Sequence, residues 1–285
     1  MRNHYLKQLS RRLRGRWRTK SLGEHAIAIA AETKNGLMCV QAGDFNVSRS
    51  LLENGEYDWP QISWLKQLLH ADSRVVFAGA HIGAVLIPLA RISGTRSIVA
   101  YEPSPRNFRL LNMNLALNDI DGVVTRNAAL GGTVGQIQFT ENSINTGNSR
   151  VAPGNGEITV SLDTLDRTIP AEWSSIDLIV MDTEGSEVAV MRGAQLSLAR
   201  TKNLYVEFSP EQLQEQGSSA VDFVETVEKY FKSAYVFGSP VLFLGPGSFA
   251  AHLKGLQHHR GLLLNVLFTQ DQAANPQRMS SPSDD

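Results

Sequence analysis

From residue 74 onward, short apolar runs alternate with segments in which apolar residues recur at helical spacing. Residues 178–181 carry no charge, which is typical of a strand buried on both faces of a sheet. This alternation predicts an α/β fold, a mostly parallel sheet with helices on both faces. The predicted strands are 74–78, 97–101, 123–127, 137–140, 158–161, 177–182, 203–208, 236–237 and 263–268, and the predicted helices are 84–91, 105–117, 187–198 and 221–231.

A hairpin and a helix are predicted before this alternation begins. Lys34-Asn35-Gly36 lies between two apolar runs within 26–41, and Asn-Gly is a strong signal for a tight turn. Pro60 suits the first position of a helix. We therefore predict four regions along the chain. They are a basic N-terminal arm (1–24), a hairpin and helix packed on the core (25–72), the main α/β domain (73–269) and a disordered tail (270–285).

The charge is unevenly distributed. Residues 1–20 hold eight Lys or Arg and no acid, whereas the rest of the chain holds 19 basic and 28 acidic residues. The arm is interpreted as a solvated basic helix. Weak contact of residues 2–20 with an anionic membrane surface is the alternative, and the lack of acids also fits a transit peptide, although Ser is scarce. Aromatic residues do not alternate with basic ones, so we expect no nucleic-acid partner.

Cysteine content and hydropathy indicate the compartment. The sequence has one cysteine, Cys39, which excludes an internal disulfide and favours a reducing compartment. No apolar run approaches the roughly 20 residues that a membrane-spanning helix needs. We therefore expect a cytoplasmic protein.

A glycine loop follows the first strand of the alternating region. Ligands of doubly wound sheets bind outside the carboxyl ends of the strands, and Gly79-Ala80-His81-Ile82-Gly83 is placed at such an end. Glycine lets the backbone approach a ligand closely, and the amides at the next helix start favour electron-rich groups. The spacing is Gly-x-x-x-Gly rather than the dinucleotide Gly-x-Gly-x-x-Gly. The loop alone is therefore also compatible with a plain turn.

The next two strand ends carry residues suited to a nucleoside. Glu102 ends the second strand, 19 residues after Gly83, where an acid can accept hydrogen bonds from ribose hydroxyls. Ser104 and Pro105 are predicted as the N-cap and first residue of the following helix. Residues 127–131, Asn-Ala-Ala-Leu-Gly, either leave room for a flat base after the third strand or form a tight connection between two strands.

Three carboxylates follow the fourth strand within six residues: Asp182, Glu184 and Glu187. They would repel one another unless they are solvated, paired or used. Asp182 and Glu184 are the candidates for the site, whereas Glu187 is interpreted as stabilising the helix N-terminus. Glu207, at the end of the fifth strand, is interpreted as a capping or salt-bridging acid. These carboxylates leave a metal possible, but no His and Cys cluster supports one, and we predict none.

In order and spacing these segments resemble the FkbM family of S-adenosylmethionine-dependent methyltransferases over roughly residues 34–268. The resemblance is carried by residues 79–83, 101–105 with Asn107 and Phe108, Asn118, 127–131, 159–165, 181–187 with Gly193 and Ala194, 206–207 and 265–268. No single segment is specific, but the set of segments taken in order is.

The resemblance implies a Rossmann-like class I methyltransferase at 73–269, with a seven-stranded sheet whose last strand is antiparallel. It implies S-adenosylmethionine as methyl donor and a hydroxyl of a sugar, glycan or secondary metabolite as acceptor. It implies that the cofactor-binding residues are Gly79, Ala80, His81, Gly83, Glu102, Pro103, Asn107, Asn127, Ala128, Ala129 and Asp182. The catalytic candidates are Asp182, Glu184 and His81, of which one serves as general base.

The chain departs from the family pattern at two positions of the loop. The family usually has Asp-x-Gly-x-Asn-x-Gly, in which the Asp helps bind the amino group of the cofactor. Here Phe77 stands at the Asp position, and His81 at the Asn position is either a substitute hydrogen-bonding group or a tolerated change. Two other functions stay open. A nucleotide-binding oxidoreductase would share Glu102, but the glycine spacing counts against it, whereas Phe77 favours a non-catalytic methyltransferase-like binding protein.

Overall fold

The computed structural model describes residues 17, 20–23, 25–95, 97–152 and 154–270. Most of the predicted basic arm and the predicted tail from residue 271 onward lie outside the described residues. Among the described helices, none combines the length and the apolar character needed to cross a bilayer.

The predicted N-terminal hairpin is present. Strands β1 (Ala28–Thr33) and β2 (Gly36–Gln41) are antiparallel, and Thr33 pairs with Gly36 across the turn. Helix α1 (Val47–Asn54) follows, which the sequence analysis did not predict. Helix α2 (Trp59–Leu65) follows as predicted, with Pro60 in its first turn.

The alternating region contains an element at each predicted place, with ends that differ by up to about four residues, and also six short elements that were not predicted, at 129–130, 150–151, 165–168, 210–215, 242–244 and 248–255. The strands are β3 (Arg74–Ala78), β4 (Ser97–Tyr101), β5 (Val123–Arg126), β6 (Ala129–Leu130), β7 (Gly135–Thr140), β8 (Arg150–Val151), β9 (Ile158–Asp163), β10 (Ile176–Met181), β11 (Thr201–Phe208), β12 (Ser233–Val236), β13 (Leu242–Leu244) and β14 (Leu264–Thr269). The helices are α3 (Leu86–Ser93), α4 (Pro105–Leu117), α5 (Leu165–Thr168), α6 (Glu187–Arg192), α7 (Gln195–Ala199), α8 (Pro210–Glu215), α9 (Ala220–Val227) and α10 (Ser248–Gly255).

The main sheet confirms the predicted fold class. Its strand order is β13-β12-β14-β11-β10-β3-β4-β5. The strands from β11 to β5 are parallel to their neighbours, and β14 runs antiparallel to both β11 and β12. Every residue of β10 is buried, and apolar layers cover both faces of the sheet. The expectation of seven strands was wrong, because the short strand β13 pairs antiparallel with β12 and adds an eighth at the edge.

The short strands between β5 and β10 form a second sheet, in the order β6-β9-β7-β8. Their own apolar cluster, formed by Ala129, Phe139, Val151 and Val160, holds them together. The loop between β7 and β8 contains the 3₁₀ turn Thr146–Asn148. This small sheet therefore projects a loop beside the carboxyl ends of the main parallel strands.

The helix predicted over residues 187–198 is two helices, α6 and α7. A Cβ added at Gly193 would lie 2.0 Å from the carbonyl oxygen of Gly131, so the two backbones touch where the helix breaks. The Asp166 carboxylate accepts hydrogen bonds from the amides of Leu196 (2.9 Å) and Ser197 (2.7 Å). The break is thus stabilised by tertiary contacts, which helical periodicity does not reveal.

Side-chain amides of α4 pair with the free edge of β2. Asn118 bonds the backbone of Leu37 in both directions, at 3.0 Å and 2.8 Å. One turn earlier, Asn114 accepts from the amide of Cys39 (2.6 Å) and donates to its carbonyl oxygen (3.1 Å). Residues i and i+4 of a helix lie on one face, as do alternate residues of a strand, so the two rows match. These bonds fix the hairpin on the α/β core.

Candidate active site

A cavity of ≈ 320 Å³ opens at the carboxyl ends of the central parallel strands. The chain leaves β3 toward β4 and β5 on one side and returns to β10 on the other, so the cavity lies at the switch point of the sheet. Residues that follow β3, β4, β10 and β11 line it, together with residues before α2 and the 3₁₀ turn of the small sheet. Its location is therefore the one predicted from the strand ends.

The glycine loop forms one wall of the cavity. Gly79 has a φ of 88°, and a Cβ there would lie 1.8 Å from the carbonyl oxygen of Asp182, so only glycine fits. Gly79, Ala80 and His81 line the cavity. Gly83, which the family resemblance places at the cofactor, is not on its wall. A Cβ at Gly83 would lie 2.9 Å from Leu111, so this glycine instead permits close packing of the loop on α4.

Glu102 is a buried acid, 4% exposed, at the end of β4. Its two carboxylate oxygens accept hydrogen bonds from the amides of His81 (2.8 Å) and Ser104 (2.9 Å). Burial raises the pKa of Glu102 to about 7, although both amides oppose the shift. Each oxygen keeps further acceptor capacity. Glu102 therefore orders the glycine loop and also faces the cavity, beside Pro103 and Asn107.

The segment after β5 is divided between two roles. Ala128 and Ala129 line the cavity, as the family resemblance leads one to expect of its base-binding part. Asn127, the third residue of that prediction, is exposed and is not on the wall. Its amide nitrogen donates to the carbonyl oxygens of Glu102 (2.8 Å) and Pro103 (3.1 Å). Asn127 thus holds the loop after β4 in place.

Three carboxylates meet at the far end of the cavity. One oxygen from each of Asp182, Glu184 and Glu207 lies within 4.8 Å of the other two. Gln212 donates to Glu184 at 2.6 Å, and one oxygen of Glu207 is buried without a hydrogen-bonding partner. Glu207, which the sequence analysis interpreted as a capping acid, therefore belongs to the cavity instead.

Burial and mutual repulsion perturb these acids. Burial first, then the Glu187 and Asp58 charges, raise the pKa of Asp182 to about 7. The Asp182 side chain is exposed and lines the cavity. Burial and neighbouring carboxylates raise the pKa of Glu184 to about 9 and that of Glu207 to about 10.

Little positive charge balances this group. Arg150 is the one Lys or Arg among the described lining residues, and its Nη1 lies 2.7 Å from the Glu215 carboxylate. The cavity is therefore suited to a cationic ligand. A hard divalent cation, which prefers carboxylate oxygens, would find three ligand atoms in Asp182, Glu184 and Glu207.

His81 links the glycine loop to the 3₁₀ turn Thr146–Asn148, which forms the roof of the cavity. Its Nε2 lies 2.9 Å from the Thr146 hydroxyl, and burial lowers the pKa of His81 to about 4, so the ring is neutral. The fully buried Asp44 accepts from the amides of Thr146 (2.9 Å) and Ser48 (2.6 Å). Asp44 was not among the predicted site residues, because its only local signal is an acid just before a helix.

Glu187, which was predicted to stabilise the helix N-terminus, bonds the loop before that helix. One of its oxygens accepts from the amide of Thr183 (3.0 Å), from the Thr183 hydroxyl (2.9 Å) and from the amide of Gly185 (3.1 Å). Glu187 is 2% exposed and does not line the cavity. It therefore shapes the loop that carries Asp182 and Glu184.

Phe77, Tyr57, Asp58 and Tyr205 also line the cavity. Phe77 is 2% exposed in β3 and brings an apolar ring to the position where the family resemblance places an acid. Tyr57 and Asp58 come from the N-terminal region and were not among the predicted site residues.

The comparisons with known proteins point to one family. The model of the methyltransferase FkbM domain matches residues 78–235, which is more than half of the chain and confirms the resemblance. The methyltransferase sdnD of Sordaria araneosa is 27% identical over 153 residues. That match covers 42% of this chain and 59% of that protein, so the chain spans less than two thirds of its curated relative.

Solved structures similar to this chain include three methyltransferases of low sequence identity. An rRNA methylase from Streptococcus thermophilus has a TM-score of 0.42 at 12% identity, covering 73% of this chain and 93% of its own. TYW2 of M. jannaschii, solved in complex with AdoMet, has a TM-score of 0.44 at 12% identity, covering 86% and 87%. A TehB-like SAM-dependent methyltransferase from Corynebacterium glutamicum has a TM-score of 0.43 at 13% identity, covering 79% and 94%.

Proposed function

Because this chain belongs to the FkbM methyltransferase family, we propose that it transfers a methyl group from S-adenosylmethionine to a hydroxyl oxygen of a sugar, a glycan or a secondary metabolite. The observation that carries the proposal is the cavity at the sheet's switch point. It joins the glycine loop, the buried Glu102 and the carboxylates at the ends of β10 and β11 in one space.

The residues present fit S-adenosylmethionine in size and charge. A cavity of ≈ 320 Å³ falls within the usual range for small ligands, about 300–1,000 Å³. The cofactor carries a sulfonium and an ammonium group beside a single carboxylate, and its net positive charge suits a lining rich in carboxyl groups. The lining acids are Asp58, Glu102, Asp182, Glu184 and Glu207.

Three parts of the cavity lining each suit one part of the cofactor. Gly79 and Ala80 bring exposed backbone to the methionine part, while the free lone pairs of Glu102 accept hydrogen bonds from the ribose hydroxyls. Ala128 and Ala129 leave a flat space for adenine. The acceptor then lies toward Glu184 and Glu207, beyond Asp182.

Asp182 is the general base in this proposal. When bound, S-adenosylmethionine supplies a methyl carbon already activated by sulfonium, so the protein mainly aligns the acceptor oxygen with it. A base whose pKa lies near the working pH is best suited to take the hydroxyl proton. The pKa of Asp182 is raised to about 7, whereas that of Glu184 is raised to about 9 and that of His81 is lowered to about 4. Glu184 is then protonated at neutral pH, and the His81 ring is too weak a base.

Calorimetry and label transfer test the proposal. The full chain is titrated with S-adenosylmethionine and S-adenosylhomocysteine, then incubated with a methyl-tritiated donor and a panel of monosaccharides, oligosaccharides and hydroxylated polyketides. We expect binding, and label that survives mild alkali, since methyl ethers resist it and methyl esters do not. Binding without transfer would favour the non-catalytic alternative. Binding of a nicotinamide dinucleotide instead would favour the oxidoreductase.

Asp182→Asn tests the base. We expect turnover to fall about 10²- to 10⁴-fold, the usual contribution of a general base. Asp121→Asn removes the same charge at an exposed position outside the cavity and should leave turnover unchanged. Full turnover by Asp182→Asn would contradict the assignment.

A further inference from the structure

Asp58 is placed like a helix cap but does not act as one. It precedes α2 as the N-cap residue, a position that aspartate favours because its carboxylate can accept from the amides of the first turn. The Asp58 side chain makes no such bond. It faces the cavity instead, and its backbone is left-handed, with a φ of 49°. This backbone conformation is unfavourable, and no capping bond compensates for it. Other contacts therefore hold Asp58 in place.

Those contacts come from Asn35 in the hairpin turn. Its side chain is fully buried, donates to the carbonyl oxygen of Tyr57 (2.8 Å) and accepts from the amide of Tyr57 (2.9 Å). The same amide nitrogen donates to the carbonyl oxygen of Ala84 (2.8 Å), one residue after the glycine loop. Asn35 thus fixes the segment that carries Asp58 against the glycine-loop side of the cavity.

The surroundings of Asp58 are rich in carboxyl groups. The charge of Asp58 contributes, after burial and nearer charges, to the raised pKa values of Asp182 and Glu207. Within the described part of the chain, no Lys or Arg nitrogen forms an ion pair with Asp58. Burial raises the pKa of Asp58 to about 6, although a hydrogen bond from the Tyr57 side chain opposes the shift, so Asp58 is mostly ionised at neutral pH. An ionised acid on a cavity wall that has no ion-pair partner is suited to a ligand cation.

We propose that the Asp58 carboxylate binds the ammonium group at the methionine end of S-adenosylmethionine. The inference rests on the proposed function above. The glycine-loop side is the methionine side of the cavity, and the β3 residue there is Phe77, whose ring offers no acceptor. Asp58 thus supplies, from the N-terminal region, a carboxylate that β3 does not contain.

Two ligands that differ only at the amino-acid end provide the test. S-Adenosylhomocysteine carries the ammonium group, whereas 5′-methylthioadenosine has the same nucleoside and sulfur without it. Calorimetry measures the Kd of each for the wild-type chain, Asp58→Asn and Glu56→Gln. Asparagine tolerates left-handed backbone, so Asp58→Asn should fold. Glu56 is the matched control, since it pairs with Lys34 near the surface and does not line the cavity.

We expect Asp58→Asn to weaken S-adenosylhomocysteine about tenfold or more, because a hydrogen bond between charged groups is lost. The Kd of 5′-methylthioadenosine should change less than about twofold, and Glu56→Gln should change neither. An unchanged affinity of Asp58→Asn for S-adenosylhomocysteine would overturn the role of Asp58 alone, as would equal losses for both ligands. A wild-type chain that binds neither ligand would overturn the proposed function and this inference with it.

Discussion

Replacing Asn114 by alanine should lower the free energy of unfolding by about 3–6 kcal/mol. Asn114 is fully buried and bonds the amide and carbonyl of Cys39, at 2.6 and 3.1 Å, and the carbonyl of Ile82, at 2.9 Å. Alanine leaves three backbone groups without partners, at about 1–3 kcal/mol each. The better helix propensity of alanine returns less than about 0.7 kcal/mol, and local relaxation lowers the upper end.

Asn112→Ala is the matched control. Asn112 lies on the same helix, and its bonds to Phe108 (2.7 Å) and Thr125 (2.9 Å) are exposed, so water replaces them. We expect its effect to stay within about 0.5 kcal/mol. Because both changes replace asparagine by alanine in α4, their difference isolates the buried contacts.

Urea unfolding followed by tryptophan fluorescence measures both variants, with the midpoint and the slope compared separately. Hydrogen exchange at β1 and β2 shows whether the hairpin loosens before the sheet does. An Asn114→Ala variant within about 1 kcal/mol of Asn112→Ala, with unchanged exchange in the hairpin, would refute the reasoning. It would mean that the amide pairing does not hold the hairpin on α4.

Two further predictions concern the walls of the cavity. Gly79→Ala should lower the free energy of unfolding in urea clearly more than Gly94→Ala does, because a Cβ at Gly79 would lie 1.8 Å from a backbone oxygen. Gly94 also has a left-handed φ, 69°, but no atom lies within 4 Å of a Cβ there, so it is the control. Equal losses for the two variants would contradict this prediction. Glu102→Gln should flatten the pH dependence of stability. The folded pKa of Glu102 is raised from 4.5 to about 7, so its protonated form stabilises the wild type below pH 4.5, and about 3 kcal/mol is lost as the pH rises to about 7. Thermal unfolding of both proteins from pH 4 to 8 measures that difference, and parallel curves would rule it out.

The main sheet and those candidate site residues that follow its parallel strands can be predicted from the sequence. Strands and helices of the α/β region are set by local periodicity, and ligands of such sheets collect at strand ends, so Gly79, Glu102 and Asp182 follow from position alone. Asp44 and Asp58 do not, because their roles depend on tertiary contacts. Asp44 meets the amide of Thr146, which is 102 residues away.

The errors have the same origin. Helical periodicity continues through residues 187–198, and only contact with Gly131 shows why the chain bends at Gly193. Asn127 follows a strand, like a ligand-binding residue, yet its side chain bonds the neighbouring loop. The position of Asn127 after its strand is the same whether the side chain binds a ligand or bonds the neighbouring loop.

The contact between Asp44 and Thr146 has a consequence for the order of folding. Neighbouring central strands β3 and β4 pair residues 23 apart, such as Arg74 and Ser97. Strands β3 and β10 pair residues 103 apart, such as Val75 and Leu178, and the contact between Asp44 and Thr146 closes a loop of 102 residues. Closing a longer loop costs more chain entropy, and such contacts form late. We expect β3 and β4 to pair first, and the β3–β10 pairing and the contact between Asp44 and Thr146 to form later. The glycine loop after β3 and the carboxylates at the ends of β10 and β11 would then come together late in folding, in the same stage as the docking of the N-terminal segment.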